Sequence, residues 1–329
     1  MPKSESILFL REEDVKRSIT VSRAIDLAEV GIRADAAGNV AGNKFYMPVD
    51  DRGFVKPFSG YIIGEEYFFV KTFSFFPGNQ ERIGHSATSS MVLLFDAKSG
   101  LPVCLMQADW VTGLKTAAST TVTASMLAKP ESECALIFGM GSLGQMHLRA
   151  LAQRFSLKHI YVIDIRHEMA ETQARKLASE LSVNVEAVLL EEREVYVRQA
   201  DMVITVTTGN QPLISRGWLK PGAFVARLGS YQEVELDVVM EVDKVVVDNW
   251  HYVSPRIPEL IQLAEEGRFG FEDVYAEWPE IVGGHKPGRE NSTEVITYIA
   301  LGIWGEYAAI LPEVYRRAVE LRLGQPLPI

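Results

Sequence analysis

Short apolar runs alternate with helical patterns through residues 134–250 of the chain. Each run is almost continuously apolar, which is typical of strands buried on both faces of a parallel sheet. Helical spacing is clearest at 168–181, where Ala170, Ala174, Leu177 and Leu181 fall on one stripe. The alternation predicts an α/β fold with a Rossmann-type, doubly wound parallel sheet that binds ligands at the carboxyl ends of its strands. The predicted strands are 134–138, 160–163, 183–188, 202–206, 224–228 and 244–247.

The first 115 residues show a different pattern, in which predicted strands follow one another with few helices between them. This pattern predicts a second, α+β domain that is mostly antiparallel, with a hairpin loop at 96–100. The stretch 44–60 mixes proline, glycine, aspartate and aromatic residues, and we interpret it as loop with short strands. The predicted elements are strands at 7–10, 67–75, 90–95 and 102–107 and helices at 12–17, 22–37 and 112–127.

Apolar residues at 296, 299, 300 and 303 predict a helix over 290–311, followed by another over 311–323. These last helices are expected to leave the parallel sheet and to pack on the N-terminal domain. We therefore assign one domain to 1–115, completed by a return at about 305–329, and the other to 116–304.

A glycine-rich turn follows the first strand of the parallel domain, in the spacing G-x-G-x-x-G. Gly139 allows the tight turn, Gly141 lets a pyrophosphate approach the backbone, and Gly144 lets the next helix pack close to the strand. The N–H groups at the start of that helix favour a phosphate. Asp164 ends the second strand, where it can bind the ribose hydroxyls and repel a 2′-phosphate. This favours NAD(H), although Arg166 leaves NADP(H) open.

Composition narrows the classes of partner. The chain has 329 residues, of which 47% are hydrophobic and 23% charged, and its net charge of −10 argues against nucleic acid or an anionic membrane as the main partner. No apolar run approaches a membrane span and no apolar leader begins the chain, so a cytoplasmic location is expected. The two cysteines and six histidines show no metal-ligand spacing, so no metal site is predicted.

Lys71 lies in the predicted strand 67–75 and shares a face with Phe69, Phe73 and Phe75. Its ammonium group either reaches solvent at a sheet edge or is held in a pocket. Burial in a pocket would lower its pKa toward the range useful for proton transfer. The pattern alone leaves both alternatives open.

Several motifs together resemble the ornithine cyclodeaminase/μ-crystallin family over nearly the whole chain. The resemblance implies a Rossmann domain, a substrate and dimerisation domain, a homodimer, bound NAD(P)(H), and an amino-acid or imino-acid substrate. The matching stretches are Phe69-Val-Lys71-Thr-Phe73, Phe76-Pro-Gly-Asn79, Leu93-Leu-Phe-Asp96, Gly100-Leu-Pro102, Leu114-Lys-Thr-Ala-Ala118, the glycine loop, Lys220-Pro-Gly222, Leu228-Gly-Ser230 and Glu235-Leu-Asp237.

By this resemblance Lys71 is the catalytic lysine, and Lys115, Lys44 and Ser230 bind the substrate. The family has arginines where this chain has Lys115 and Lys44, so both positions keep the charge but lose the bidentate fork. The two changes indicate a shifted or different acidic group on the substrate. The expected cofactor contacts are Thr116, Gly139, Gly141, Ser142, Leu143, Gly144, Asp164, Ile165, Arg166, Thr205, Thr207 and Gly229.

Three functions are compatible with the resemblance. The first is an oxidoreductase that interconverts an α-amino acid and its imine or ketimine. The second is ornithine cyclodeaminase, an ammonia-releasing lyase, but that enzyme has an aspartate after the fifth strand where this chain has Ser230, with no acid before Glu233. The third is a catalytically silent ligand-binding protein, which the intact lysine and glycine loop make less favourable.

Overall fold

The computed structural model describes residues 6–328, which form two compact units. One unit contains the chain up to Lys115 and the segment that begins at Trp304. The other runs from Thr116 to Ile303. Within the described residues, no helix combines the length and the apolar character needed to cross a membrane.

The strands within residues 6–328 are, in chain order, β1 (Ser6–Leu10), β2 (Val40–Lys44), β3 (Met47–Val49), β4 (Gly53–Ile62), β5 (Tyr67–Phe75), β6 (Thr88–Asp96), β7 (Pro102–Gln107), β8 (Cys134–Phe138), β9 (His159–Ile163), β10 (Asn184–Ala187), β11 (Met202–Thr205), β12 (Phe224–Arg227), β13 (Lys244–Val247), β14 (Ala276–Glu277), β15 (Ile296–Ile299) and β16 (Gln325–Pro328). The α-helices of the same residues are α1 (Glu12–Ser18), α2 (Val21–Ala36), α3 (Asn79–Ile83), α4 (Asp109–Leu127), α5 (Ser142–Leu151), α6 (His167–Leu181), α7 (Arg193–Gln199), α8 (Asp237–Met240), α9 (Trp250–Val253), α10 (Pro258–Glu265), α11 (Trp278–Val282) and α12 (Gly305–Glu320).

The first unit is built on a mixed sheet in the order β16-β1-β7-β6-β5-β4-β2, with β3 also paired to β4. The pairs are antiparallel except for β1 with β7, which confirms the mostly antiparallel α+β prediction. Helix α12 packs on β4, β5 and α2, and its Tyr307 touches Phe58 and Phe69 of the sheet. The core of this unit therefore lies between the sheet and α12.

The prediction of loop and short strands over 44–60 is wrong in one respect, because β4 is a ten-residue strand inside the sheet. Pro57 made the stretch look irregular, since proline cannot donate a ladder hydrogen bond. The carbonyl oxygen of Pro57 accepts from Phe45 in the gap between β2 and β3. The N–H group that Pro57 lacks would therefore point toward the interruption between β2 and β3.

The second unit is built on a wholly parallel sheet in the order β10-β9-β8-β11-β12-β15-β13-β14, which confirms the predicted Rossmann-type α/β fold. The chain moves outward from β8 to β9 and β10, and then returns to the other side of β8 with β11. The strand order therefore reverses between β8 and β11. Ligands of such sheets bind at the carboxyl side of this reversal.

The helix predicted over 290–311 is wrong, because residues 296–299 form β15, between β12 and β13. All four residues of β15 are buried. A short buried strand has no polar face, so its apolar run resembles a helical stripe when it is read by spacing alone. The helix predicted at 311–323 belongs to α12, which begins earlier, at Gly305, and continues through Pro312.

Helices α2 and α12 approach each other closely at two glycines. A Cβ atom added to Gly31 would lie 2.3 Å from the carbonyl oxygen of Gly305, and one added to Gly305 would lie 2.5 Å from that of Gly31. Both distances are well below van der Waals contact, and both obstacles are backbone. The pair therefore fixes the spacing of the helix that covers the sheet.

We expect Gly31→Ala to lower the midpoint of thermal unfolding, because the methyl group forces two backbones apart at a cost of about 1–3 kcal/mol. Calorimetry of the purified variant measures the effect. Gly113→Ala is the matched control, since Gly113 is also helical but a Cβ there meets nothing within 4 Å. Equal midpoints for the two variants would contradict this account of the helix contact.

Candidate active site

Lys71 is buried in the first unit. It lies on the face of β5 that carries Phe69 and Phe75, both also buried, and only 1% of its surface is exposed. Of the two alternatives that the sequence leaves open, the structure therefore shows the pocket. Neighbouring strands keep the residue at the centre of the face, because Lys71 pairs in register with Phe58 of β4 and Val92 of β6.

Aromatic rings surround the amine of Lys71. Its Nζ atom lies 5.0 Å from the ring centroid of Phe58, 5.3 Å from that of Phe73 and 5.2 Å from that of Tyr307. Nζ also donates a hydrogen bond of 3.3 Å to the hydroxyl of Ser90. Ring faces attract a cation more weakly than a carboxylate does, so the charged form remains costly.

Burial lowers the pKa of Lys71 to about 7. The carboxylate of Asp109, which also hydrogen-bonds Ser90, opposes the shift. The neighbouring positive charges of Lys115 and Lys56 add to it. Lys71 can consequently give or accept a proton near neutral pH, as a general acid or base must.

Lys115 has a partner that the sequence did not reveal. Its Nζ lies 3.3 Å from Oε1 of Glu306, and both side chains are almost fully buried. The same Nζ lies 5.1 Å from the ring centroid of Tyr307, the residue that follows Glu306. Sequence reasoning missed Glu306 because its partner Lys115 lies far away in the chain. The charge of Lys115 is balanced within the chain.

Lys44 and Lys56 lie on the same side of this sheet. Lys44 is half-buried, and its Nζ lies 5.6 Å from the ring centroid of Phe58. Lys56 is only 8% exposed, and its Nζ lies 4.6 Å from the ring centroid of Phe54. The sequence missed Lys56, although its alternation with Phe54 and Phe58 was a usable strand signal.

The glycine loop of the second unit has the geometry that a dinucleotide needs. Gly139 has φ +96°, a value that favours glycine, and a Cβ at Gly144 would lie 1.8 Å from the carbonyl oxygen of Gly139. A Cβ at Gly141 would meet nothing, so its backbone is open to an approaching group. Helix α5 begins at the next residue, Ser142, with Leu143 in its first turn. These residues fit a pyrophosphate at a helix N-terminus.

Asp164 is anchored beside this loop. Its Oδ2 accepts from the N–H of Met140 at 2.8 Å, and its Oδ1 accepts from the N–H of Arg166 at 2.9 Å. The guanidinium of Arg166 lies 3.5 Å from the same Oδ1. Ile165 between them is 88% exposed, which is unusual for an isoleucine. The carboxylate is thus fixed at the strand end where a ribose would bind.

A buried carboxylate joins the ends of β11 and β12. Glu233 accepts hydrogen bonds from the hydroxyl of Thr205, from the hydroxyl and N–H of Thr207, and from the N–H of Gly229, all between 2.7 and 2.8 Å. Thr205 is fully buried, so its side chain is turned to Glu233. Ser230, next along the chain, is exposed.

The loop after β12 is held by a second buried network. Arg227 donates to the carbonyl oxygens of Gly229 and Tyr231 and pairs with Glu259, with Nη2 and Oε2 3.0 Å apart. Glu259 also accepts from the N–H of Glu233. Sequence reasoning missed Arg227, Glu259 and the role of Glu233, because nothing in the pattern links residues so far apart in the chain.

Two further residues are Thr116, the last of the predicted cofactor contacts, and Asp248, which follows β13. Thr116 is half-buried on α4, in the second unit. Asp248 is buried and accepts from the N–H groups of Leu301 and Gly302, so it secures the end of β15. Among residues 6–328, no three or more His, Cys, Asp or Glu side chains are grouped to hold a metal ion.

A family model matches residues 5–321, and its description is the ornithine cyclodeaminase/mu-crystallin family. The chain belongs to this family.

Individual relatives support the assignment. Alanine dehydrogenase of Archaeoglobus fulgidus is 25% identical over 325 residues, which cover 97% of this chain and 98% of that protein. N-((2S)-2-amino-2-carboxyethyl)-L-glutamate dehydrogenase of Staphylococcus aureus is 28% identical over 251 residues, or 76% and 74% of the two chains. The structure of Thermococcus litoralis Delta(1)-pyrroline-2-carboxylate reductase, in complex with NADH and L-proline, matches with a TM-score of 0.93 and 26% identity, over 98% and 100% of the two chains.

We expect Lys71→Met to raise the midpoint of thermal unfolding, because it removes a buried ammonium group. The gain should shrink as pH rises above about 7 toward about 10, since in that window the unfolded lysine still binds a proton that the folded one has lost. Calorimetry from about pH 6 to about pH 9 tests this window.

Lys98→Met is the control, since Lys98 is exposed in the β6–β7 hairpin loop. A gain for Lys71→Met that stayed constant with pH, or matched that of Lys98→Met, would show that Lys71 keeps an ordinary pKa.

Proposed function

We propose that this member of the ornithine cyclodeaminase/mu-crystallin family is an NAD(H)-dependent oxidoreductase that interconverts an α-amino acid and its imine or ketimine. The observation that carries the proposal is the buried amine of Lys71, held among aromatic rings with a pKa of about 7. The three relatives described above are dehydrogenases or a reductase, and one was solved with NADH and L-proline. Their names support the reaction class and leave the substrate of this chain to experiment.

Lys71 moves the proton in this proposal. In the direction of reduction it donates a proton to the substrate or to water, and in the direction of oxidation the neutral amine accepts one. Ser90 orients the amine through the hydrogen bond at Nζ. Bound NAD(H) would supply or accept the hydride at the substrate Cα, and this hydride together with one proton converts the imine to the amine and NADH to NAD⁺.

Lys44 and Lys115 hold the substrate α-carboxylate. The pairing of Lys115 with Glu306 reduces its net attraction for an anion, which places more of that task on Lys44. A single ammonium group is less directional than the arginine fork that the family resemblance leads one to expect. Orientation of the substrate must therefore come also from the rings of Phe58, Phe73 and Tyr307.

Cofactor binding falls to the second unit. The N–H groups at the start of α5 bind the pyrophosphate, Asp164 binds the adenosine ribose, and Ile165 covers the adenine. Thr116, Thr207 and Gly229 complete the cofactor contacts, and Glu233 fixes the last two in place. Ser230 contacts the substrate.

Cyclodeamination is the less favoured function. Glu233 is the first acid after β12, and its carboxylate is committed to Thr205, Thr207 and Gly229. It therefore cannot take the place of the aspartate that cyclodeaminases use near the substrate amine.

We expect purified protein to consume NADH with at least one member of a panel of 2-oxo acids supplied with ammonia or methylamine, or of cyclic imino acids. The change in NADH absorbance measures the rate. Ammonia and proline formed from ornithine without accumulation of NADH would instead establish the lyase. Absence of turnover in both assays would favour the binding protein.

The variant Lys71→Met tests the role of Lys71 in the NADH absorbance assay. We expect it to retain NADH binding, measured by fluorescence titration, and to lose turnover by about 10²–10⁴-fold, as removal of a general acid or base does. Lys98→Met serves again as the exposed control and should behave as the unmodified protein. Undiminished turnover of Lys71→Met would exclude Lys71 as the proton donor.

We expect Asp164→Ala to weaken NADH binding and to raise the ratio of NADPH to NADH affinity by at least about tenfold, because it removes the charge that repels a 2′-phosphate. Fluorescence titration with both cofactors measures the ratio. Glu131→Ala is a control in the same unit, since Glu131 is exposed before β8, at the opposite edge of the sheet. An unchanged ratio in Asp164→Ala would mean that Asp164 does not select the cofactor.

A further inference from the structure

Three lysines occupy neighbouring positions on one face of the first unit's sheet. Lys44 of β2 and Lys71 of β5 both pair in register with Phe58 of β4, one from each side. Lys56 is two residues from Phe58 on the same strand and pairs with Phe73. It is therefore a diagonal neighbour of both other lysines, at about 7–8 Å between positions.

This face of the sheet is buried rather than solvated. Residues 56, 58 and 60 of β4 are buried and alternate with half-buried neighbours, so Lys56 belongs to the buried set. Its Nζ lies over the ring of Phe54, whose centroid is 6.3 Å from that of Phe73. Phe73 in turn contacts Lys71, so a continuous aromatic floor connects the two ammonium groups.

Like charges so close together repel each other. The charge of Lys56 contributes to the lowered pKa of Lys71, which means that the two amines interact through this part of the protein. An anionic group bound between them relieves the repulsion. The proposed function already uses Lys44 for the α-carboxylate and Lys71 for proton transfer, and it gives Lys56 no task.

We propose that the substrate carries a second acidic group, so that it is an amino or imino dicarboxylic acid, and that Lys56 binds the side-chain carboxylate. This inference rests on the proposed function and names its substrate class. The α-carboxylate lies at Lys44, the reacting carbon lies at Lys71, and the second carboxylate lies at Lys56. The side chain of the substrate crosses the aromatic floor formed by Phe54 and Phe73.

The test compares substrates matched in carbon number. With NADH and ammonia, oxaloacetate is set against 2-oxobutyrate, and 2-oxoglutarate against 2-oxovalerate. We expect at least one dicarboxylic acid to exceed its partner in kcat/KM by about tenfold or more, since a site built for a polar group rejects analogues that lack it. Lys56→Met should reduce that ratio by about tenfold, mainly through KM, and Lys56→Arg should preserve most of it.

Equal kcat/KM values within both pairs, or a preference that Lys56→Met leaves intact, would overturn the inference while the imine-reductase function stands. Lys98→Met controls for the loss of a positive charge elsewhere in the unit. Far-ultraviolet circular dichroism and NADH titration check that the Lys56 variants are folded.

A binding measurement separates this inference from the proposed function. Glutarate and valerate cannot be reduced at a C=N bond, so their effect on the unfolding midpoint in the presence of NAD⁺ does not depend on turnover. We expect glutarate to raise the midpoint more than valerate, and Lys56→Met to remove the difference. If every imine fails as a substrate but this difference is seen, the dianion site stands and the reaction must be reassigned. Equal effects of glutarate and valerate would reject the site.

Discussion

The desolvation of the Lys71 amine is the constraint around which the first unit is arranged. An ammonium group in an apolar pocket is costly, and this pocket offers ring faces, the Ser90 hydroxyl and the more distant Asp109 carboxylate rather than a close ion pair. The two almost fully buried charges of Lys115 and Glu306 lie next to the same Tyr307 and neutralise each other. The close contact of α2 with α12 at Gly31 fixes the helix that carries Glu306 and Tyr307. Backbone packing in this unit thereby determines the proton affinity of one side chain.

The second unit holds the loops at its strand ends in place and leaves some of their backbone groups open to an approaching ligand. Glycines do this at β8, where Gly139 and Gly144 make contacts that any side chain would prevent. Carboxylates do it at β11 and β12, where Glu233 and Glu259 accept hydrogen bonds from the loop N–H groups. The buried charge of Glu259 is compensated by Arg227. Such networks are strongly destabilised when one partner is removed, so they constrain substitution as firmly as an apolar core does.

Sequence patterns predicted those elements whose structure depends mainly on residues close together in the chain. Strand β5 and the loop from Gly139 to Gly144 follow from alternation and spacing, and both lie where the sequence indicated. Strand β15 was mistaken for a helix because a short strand with every residue buried has no alternation to detect. Glu306 and Lys56 were missed because their importance depends on neighbours distant in the chain. The family resemblance indicated a role for Lys71 but not the partners that set its proton affinity.

An amine with a pKa near 7 has a chemical signature of its own. At neutral pH about half of the Lys71 side chains are uncharged, whereas an ordinary lysine is uncharged in fewer than about one molecule in a thousand. Acylating reagents attack only the uncharged form, so the lowered pKa would make Lys71 more reactive than an ordinary exposed lysine. Because Lys71 is buried, only a reagent that can enter the pocket will react with it. The rate at which a small acylating reagent labels Lys71 therefore reports how often the pocket opens.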